Sequence, residues 1–120
     1  MSKCIHLVED DEDIRFIVEY VLMEEGYEVE SFGTASKFYQ KEPDDQADLV
    51  ILDVMLPDGN GIEICRKLKA EPATAHIPII IMSAHVAEKS ILEEACADGF
   101  ISKPFDLTDL LKKVKVLLNI

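Results

Sequence analysis

The stretch "DLVILDV", Asp48 to Val54, runs almost unbroken in Leu, Val and Ile and carries one acid, Asp53, near its far end. A strand with one wet face would alternate apolar and polar residues. A short continuous run such as this suits a strand buried on both faces, the condition found in parallel sheets. "IPIIIM" (77–82) has the same character, and "CIHLV" (4–8), "EVESF" (28–32) and "FIS" (100–102) read as three further strands.

Amphipathic segments separate these runs. Ile14, Ile17, Val18, Val21 and Leu22 share a helical face, with Gly26 as a stop. Thr34 to Lys41 is a shorter segment closed by Pro43, and Ile64, Cys65 and Leu68 mark a helix from Asn60 or Gly61 to before Pro72. Val86 to Cys96 carries a looser stripe. Leu107, Leu110, Leu111, Val114, Leu117 and Leu118 form the clearest face, behind Asp106 as N-cap. Five β-α units within 120 residues predict an α/β fold: a doubly wound, five-stranded parallel sheet in the order 2-1-3-4-5, flanked by five helices and flavodoxin-like.

Composition narrows the function. Twenty-four acids against 12 Lys and Arg give a net charge of −12, which disfavours direct contact with nucleic acid or an anionic membrane and suits a basic partner or a divalent cation. The 48% apolar content is enough for one packed core. Cys4, Cys65 and Cys96 are odd in number and far apart, so a disulfide framework or zinc site is not expected. Neither a signal peptide nor a membrane span is expected, and a reducing cytoplasm is the expected location.

In doubly wound sheets, ligands bind beyond the carboxyl ends of the strands. Glu9, Asp10 and Asp11 follow the first strand, Asp53 ends the third, Ser83 follows the fourth, and Lys103–Pro104 follows the fifth. Carboxylates with no His or Cys beside them suit a hard cation such as Mg²⁺, with Mn²⁺ as the alternative. A carboxylate can also be the nucleophile that forms an aspartyl phosphate, with a lysine and a hydroxyl to hold the phosphoryl oxygens.

"LVEDDEDIR", "DVMLPDGNG", "IIIMSAH" and "GFISKPF" occur in an order and at a spacing that resemble the receiver domains of bacterial two-component response regulators. The likeness covers the whole chain and implies one receiver domain over 1–120, either a stand-alone protein or part of a larger regulator. It implies Asp53 as phosphoacceptor, followed by Pro57 and Gly61 as in the family loop. Lys103 would pair with the phosphoryl group across a cis Lys103–Pro104 bond. Ser83 would hydrogen-bond the phosphoryl group, and Phe100 would occupy the aromatic switch position without a tyrosine hydroxyl.

Registered on Ile14-Arg15 as in the family, the resemblance implies Asp10 as the direct metal ligand and Glu9 acting through water, with Asp11 held as a further candidate and Glu12 and Asp13 as helix-start charge. Asp53 and the Met55 backbone carbonyl would complete the metal site, with the Met55 and His85 side chains flanking the phosphoryl group. His6 and His76 are read as structural. The resemblance implies a histidine kinase or phosphotransfer protein as donor. The output would be a downstream protein or a second copy, bound through the fourth helical pattern, the fifth strand and the last helix. Such a domain catalyses its own phosphorylation and slow dephosphorylation but turns over no metabolite.

Two other readings compete. An EF-hand aligned on Gly61 puts Leu56 at the first ligand position and Lys67 at the last, where Glu is required, so it fails. A Mg²⁺-dependent phosphohydrolase of the haloacid-dehalogenase type would use Asp11-x-Asp13 as its nucleophile motif, but Asp106 and Asp109 lie on the last helix instead of at a strand end.

Overall fold

Parallel strands need both faces covered, and β3, Leu49–Asp53, is buried at every residue. In this computed structural model, residues 3–40, 47–84 and 97–119 are described. Around β3 lie β1 (Cys4–Val8), β2 (Glu28–Phe32), β4 (Ile79–Ser83) and β5 (Gly99–Ser102), all parallel, in the spatial order β2-β1-β3-β4-β5. The expected strand order is the observed one. Among the described residues the helices are α1 (Glu12–Glu24), α2 (Ala35–Tyr39), α3 (Gly61–Ala70) and α4 (Leu107–Leu118). The helical pattern over 86–96 lies outside the described residues.

Alternate residues of each strand feed two separate cores. Leu49 and Ile51 join Leu7 and Met82 beneath Val18 and Leu22 of α1 and Leu110 and Val114 of α4. Val50 and Leu52 join Val8 and Ile81 against Phe38 of α2 and Ile64 of α3. Each fully buried Leu or Ile contributes about 1.5–3 kcal/mol, so the continuous apolar runs supply the main driving force for this sandwich.

The helix ends follow local chemistry. Asp11 caps α1 by accepting from the Asp13 and Ile14 amides at 2.9 and 3.1 Å. Gly26, at φ 93°, ends that helix: its N–H donates to Met23 O and that of Tyr27 to Leu22 O, at 3.0 and 3.2 Å. Asn60 and Asp106 cap α3 and α4.

One expectation changes. Ile17 is 48% exposed, because one step of about 100° from buried Val18 turns it off the core face. Cys4 is only half-buried, whereas Cys65 is fully buried and Cys96 lies outside the described residues. A short antiparallel ladder, Met55–Leu56 against Gly59–Asn60, follows β3 and was not foreseen, since two-residue strands carry no periodic signal. Among the described residues no helix is long and apolar enough to cross a membrane.

Candidate functional site

Because all five strands run parallel, the carboxyl ends of β1, β3, β4 and β5 lie at one edge of the sheet. Glu9 leaves β1 fully buried, its N–H donating to Phe32 O at 3.0 Å and its carbonyl accepting from Arg15 Nη1 at 2.8 Å. Asp53 ends β3 at 5% exposure, and Ser83 ends β4 at 4%. Lys103 follows β5, with its N–H donating to Ser83 O at 2.9 Å. The Lys103–Pro104 peptide bond is cis, as expected.

The side chains converge. Lys103 Nζ lies 2.6 Å from Glu9 Oε1 and 3.1 Å from Asp53 Oδ2. Carboxylate oxygens of Glu9, Asp10 and Asp53 lie within 4.8 Å of one another, and Asp10 faces solvent. Burial, reinforced by the Asp53 carboxylate, pushes the Glu9 carboxyl up from 4.5 to about 7 against the opposing pull of Lys103. Burial alone would lower the Lys103 ammonium, but its hydrogen bonds to Glu9 and Asp53 outweigh that and hold it above its ordinary value. The edge therefore concentrates negative charge around one cation. Hard oxygen donors at this spacing suit a divalent ion such as Mg²⁺, and the donor set fits that group.

Of the expected site residues, Glu9, Asp10, Asp53, Ser83 and Lys103 all reach this edge. Met55 starts the ladder after β3 and is 68% exposed. Phe100 is 3% exposed and packs inward in the core of α2 and α3. His85 lies outside the described residues. Asp11 is a correction: its Oδ1 accepts both first-turn amides of α1, and it is absent from the carboxylate cluster. The dehalogenase-type reading finds no support here, because Asp11 serves as the cap of α1. His6, read as structural, is buried edge-on to Phe32 and Phe38, and strand register brings Glu30 to 3.8 Å from its Nε2. His76 is exposed.

Two residues did more than the sequence revealed. Arg15 appeared only as a register mark, yet its guanidinium holds the Glu9 carbonyl. Asp58 bonds the amides of Ala35 and Ser36 from across the loop after β3. In the sequence it appeared only inside the "DVMLPDGNG" motif, with no role of its own. Gly61 is explained by close approach, because a Cβ there would lie 2.2 Å from the Asp53 carbonyl oxygen.

Comparison with known proteins agrees with this geometry. The family model described as "Response regulator receiver domain" matches residues 5–115. The transcriptional regulatory protein GltR of Pseudomonas aeruginosa is 38% identical over 98% of this chain and 50% of its own length. The chain thus spans about half the length of such curated relatives. A putative response regulator from Chloroflexus aurantiacus superposes with TM-score 0.92 at 28% identity, covering 100% of both chains. The receiver domain of a Pseudomonas aeruginosa sensor histidine kinase, whose structure has a magnesium ion coordinated in the active site cleft, shares the fold at TM-score 0.89 and 21% identity, again over 100% of both chains. The ordered strand-end acids, hydroxyl and lysine, on a sheet of this topology, place the chain in the response regulator receiver domain family of two-component signalling.

Proposed function

We propose that Asp53 accepts a phosphoryl group from a phosphohistidine on a histidine kinase or phosphotransfer protein. The observation that carries this reading is the convergence of Glu9, Asp10 and Asp53 carboxylates within 4.8 Å, with Lys103 bridging two of them. One Asp53 Oδ forms the new P–O bond as the P–N bond to the histidine breaks, and the imidazole leaves with the nitrogen lone pair and takes a proton from solvent. Asp10, Glu9, Asp53 and the Met55 carbonyl would hold Mg²⁺, or Mn²⁺, which when bound neutralises charge on the phosphoryl oxygens.

Lys103 then exchanges its contact with Glu9 for one with a phosphoryl oxygen, and the Ser83 hydroxyl donates to another. Drawing the Ser83 and Lys103 side chains inward shifts the surface of β5 and α4, with Phe100 as the buried aromatic that responds; the fourth helical pattern of the sequence, expected to share that surface, lies outside the described residues. That surface binds a downstream protein or a second copy. The single domain over 1–120 catalyses this transfer and its own slow reversal, and acts in the cytoplasm without contacting nucleic acid directly.

The donor docks on α1. Its outer face exposes Phe16, Tyr20 and Met23 at 67%, 58% and 60%, a stripe at helical spacing beside half-exposed Ile17. Glu12, Asp13 and Glu24 flank it, which suits a helix with an apolar stripe and basic edges. Because α1 starts just after Asp10, such a helix brings its donor histidine to the acid edge.

Incubation with a small phosphodonor and Mg²⁺, read by intact-mass spectrometry, tests the reading. One phosphoryl group should be gained, and none by Asp53→Asn. Labelling of Asp53→Asn, or labelling indifferent to Mg²⁺, would overturn it.

A further inference from the structure

The loop between Asp53 and α3 is pinned at two points. At its base, Gly61 N–H donates to Val54 O at 3.0 Å, beside the ladder pairs Met55–Asn60 and Leu56–Gly59. At its tip, Asp58 takes the amides of Ala35 and Ser36 at 2.8 and 2.9 Å, one on each carboxylate oxygen. Those amides open α2, and the next free one, on Lys37, is already taken by Thr34 Oγ1 at 3.1 Å. The loop lies so close to α2 that a Cβ on Gly59 would sit 3.1 Å from the Ala35 Cβ. A two-residue ladder is too short to hold its own shape in water. Its geometry therefore depends on what grips the tip.

We infer that Asp58 is a positioning residue that, by capping α2 from the loop, fixes the backbone of Met55 for metal binding. The inference rests on the reading that the Met55 carbonyl helps to hold Mg²⁺. The bond is charge-assisted and bidentate, so it defines orientation as well as distance. It also joins the loop after β3 to the start of α2, so α2 and the acid edge share one anchor. Residues that orient a metal's ligands typically govern its affinity by about 10–100-fold when removed.

Three variants of the whole chain test this by calorimetric titration with MgCl₂, with amide NMR spectra of the metal-free proteins. Asp58→Ala should weaken Mg²⁺ by about 10-fold and Asp58→Asn, which keeps one acceptor, by about 3-fold. Both should move the Met55, Ala35 and Ser36 amide signals before metal is added. Thr34→Ala removes a cap from the same helix without touching the loop, and should change Mg²⁺ affinity by less than about 2-fold. Should Asp58→Ala fail to fold, Asp58→Asn carries the comparison. Affinity unchanged in the Asp58 variants, or weakened equally in Thr34→Ala, would overturn the inference. A wild-type chain that binds no Mg²⁺ would instead overturn the metal reading, and this inference with it.

Discussion

Lys103 and Glu9 stand 94 residues apart in sequence, yet their side chains meet at 2.6 Å, with the Glu9 side chain fully buried and the Lys103 side chain 15% exposed. Glu9, the first of the acids after β1, is therefore met by a lysine delivered from β5. A buried carboxyl with this partner and a second carboxylate nearby is a titrating element, and its behaviour can be measured.

Glu9 has a folded pKa of about 7 against 4.5 unfolded. The folded chain therefore holds an extra proton between those values, and this contribution is fully present below 4.5 and lost as pH rises through about 7. Unfolding free energy of the metal-free protein should fall across that window by up to about 3 kcal/mol, and Glu9→Gln should flatten the slope. The raised Lys103 value acts only above its ordinary 10.5 and does not enter this window. Urea titrations at a series of pH values check it, and matching slopes in the two proteins would refute it.

Mg²⁺ must displace that proton to use Glu9. Its affinity should be about 10-fold tighter near pH 8 than near pH 6, with proton release on binding at the lower pH. Calorimetry in buffers of different ionisation enthalpy measures both. A pH-independent Kd would exclude Glu9 from the metal site.

Gly61→Ala places a Cβ 2.2 Å from the Asp53 carbonyl oxygen and 2.9 Å from its carbon, both backbone atoms that cannot step aside alone. Thermal denaturation should show a loss of about 1–3 kcal/mol. Labelling of Asp53 by a small phosphodonor should slow as well. An unchanged Tm would mean that the loop yields more easily than its contacts imply.

Asp11→Ala separates capping from metal binding. Helix stability should drop by about 1 kcal/mol, because two first-turn amides of α1 lose their acceptor. Mg²⁺ affinity should stay within about 2-fold, since effects at groups outside one network are independent. A large loss of affinity would restore Asp11 to the metal set.

Phe16→Ser and Tyr20→Ser probe the α1 stripe. Exposed positions such as these should change stability by no more than about 0.5 kcal/mol. Transfer from the cognate phosphohistidine protein should slow, while labelling by a small phosphodonor should not. Equal slowing with both donors would count against docking on α1.

Much of this was legible in the chain. Continuous apolar runs announced strands buried on both faces, Gly26 and Asp106 marked helix ends, and four ordered motifs placed Asp53, Ser83 and Lys103 at strand ends. What misled was local ambiguity. Ile17 belongs to the apolar spacing of α1 but falls on the wrong side of it, since spacing fixes an angle and not a neighbour. Asp11 is chemically equal to Asp10, and only the hydrogen bonds to Asp13 and Ile14 show that one is a cap while the other stays with Glu9 and Asp53.

By itself, then, the sequence determined the order of elements, the two faces of the sheet and the residue types at its carboxyl edge, because periodicity and strand ends are local properties. The tertiary structure alone decided which charges touch. Lys103 on Glu9, Asp58 on the start of α2, Arg15 on the Glu9 carbonyl and Gly61 against Asp53 all depend on how separate elements pack, and distance in space has no signature in neighbouring residues.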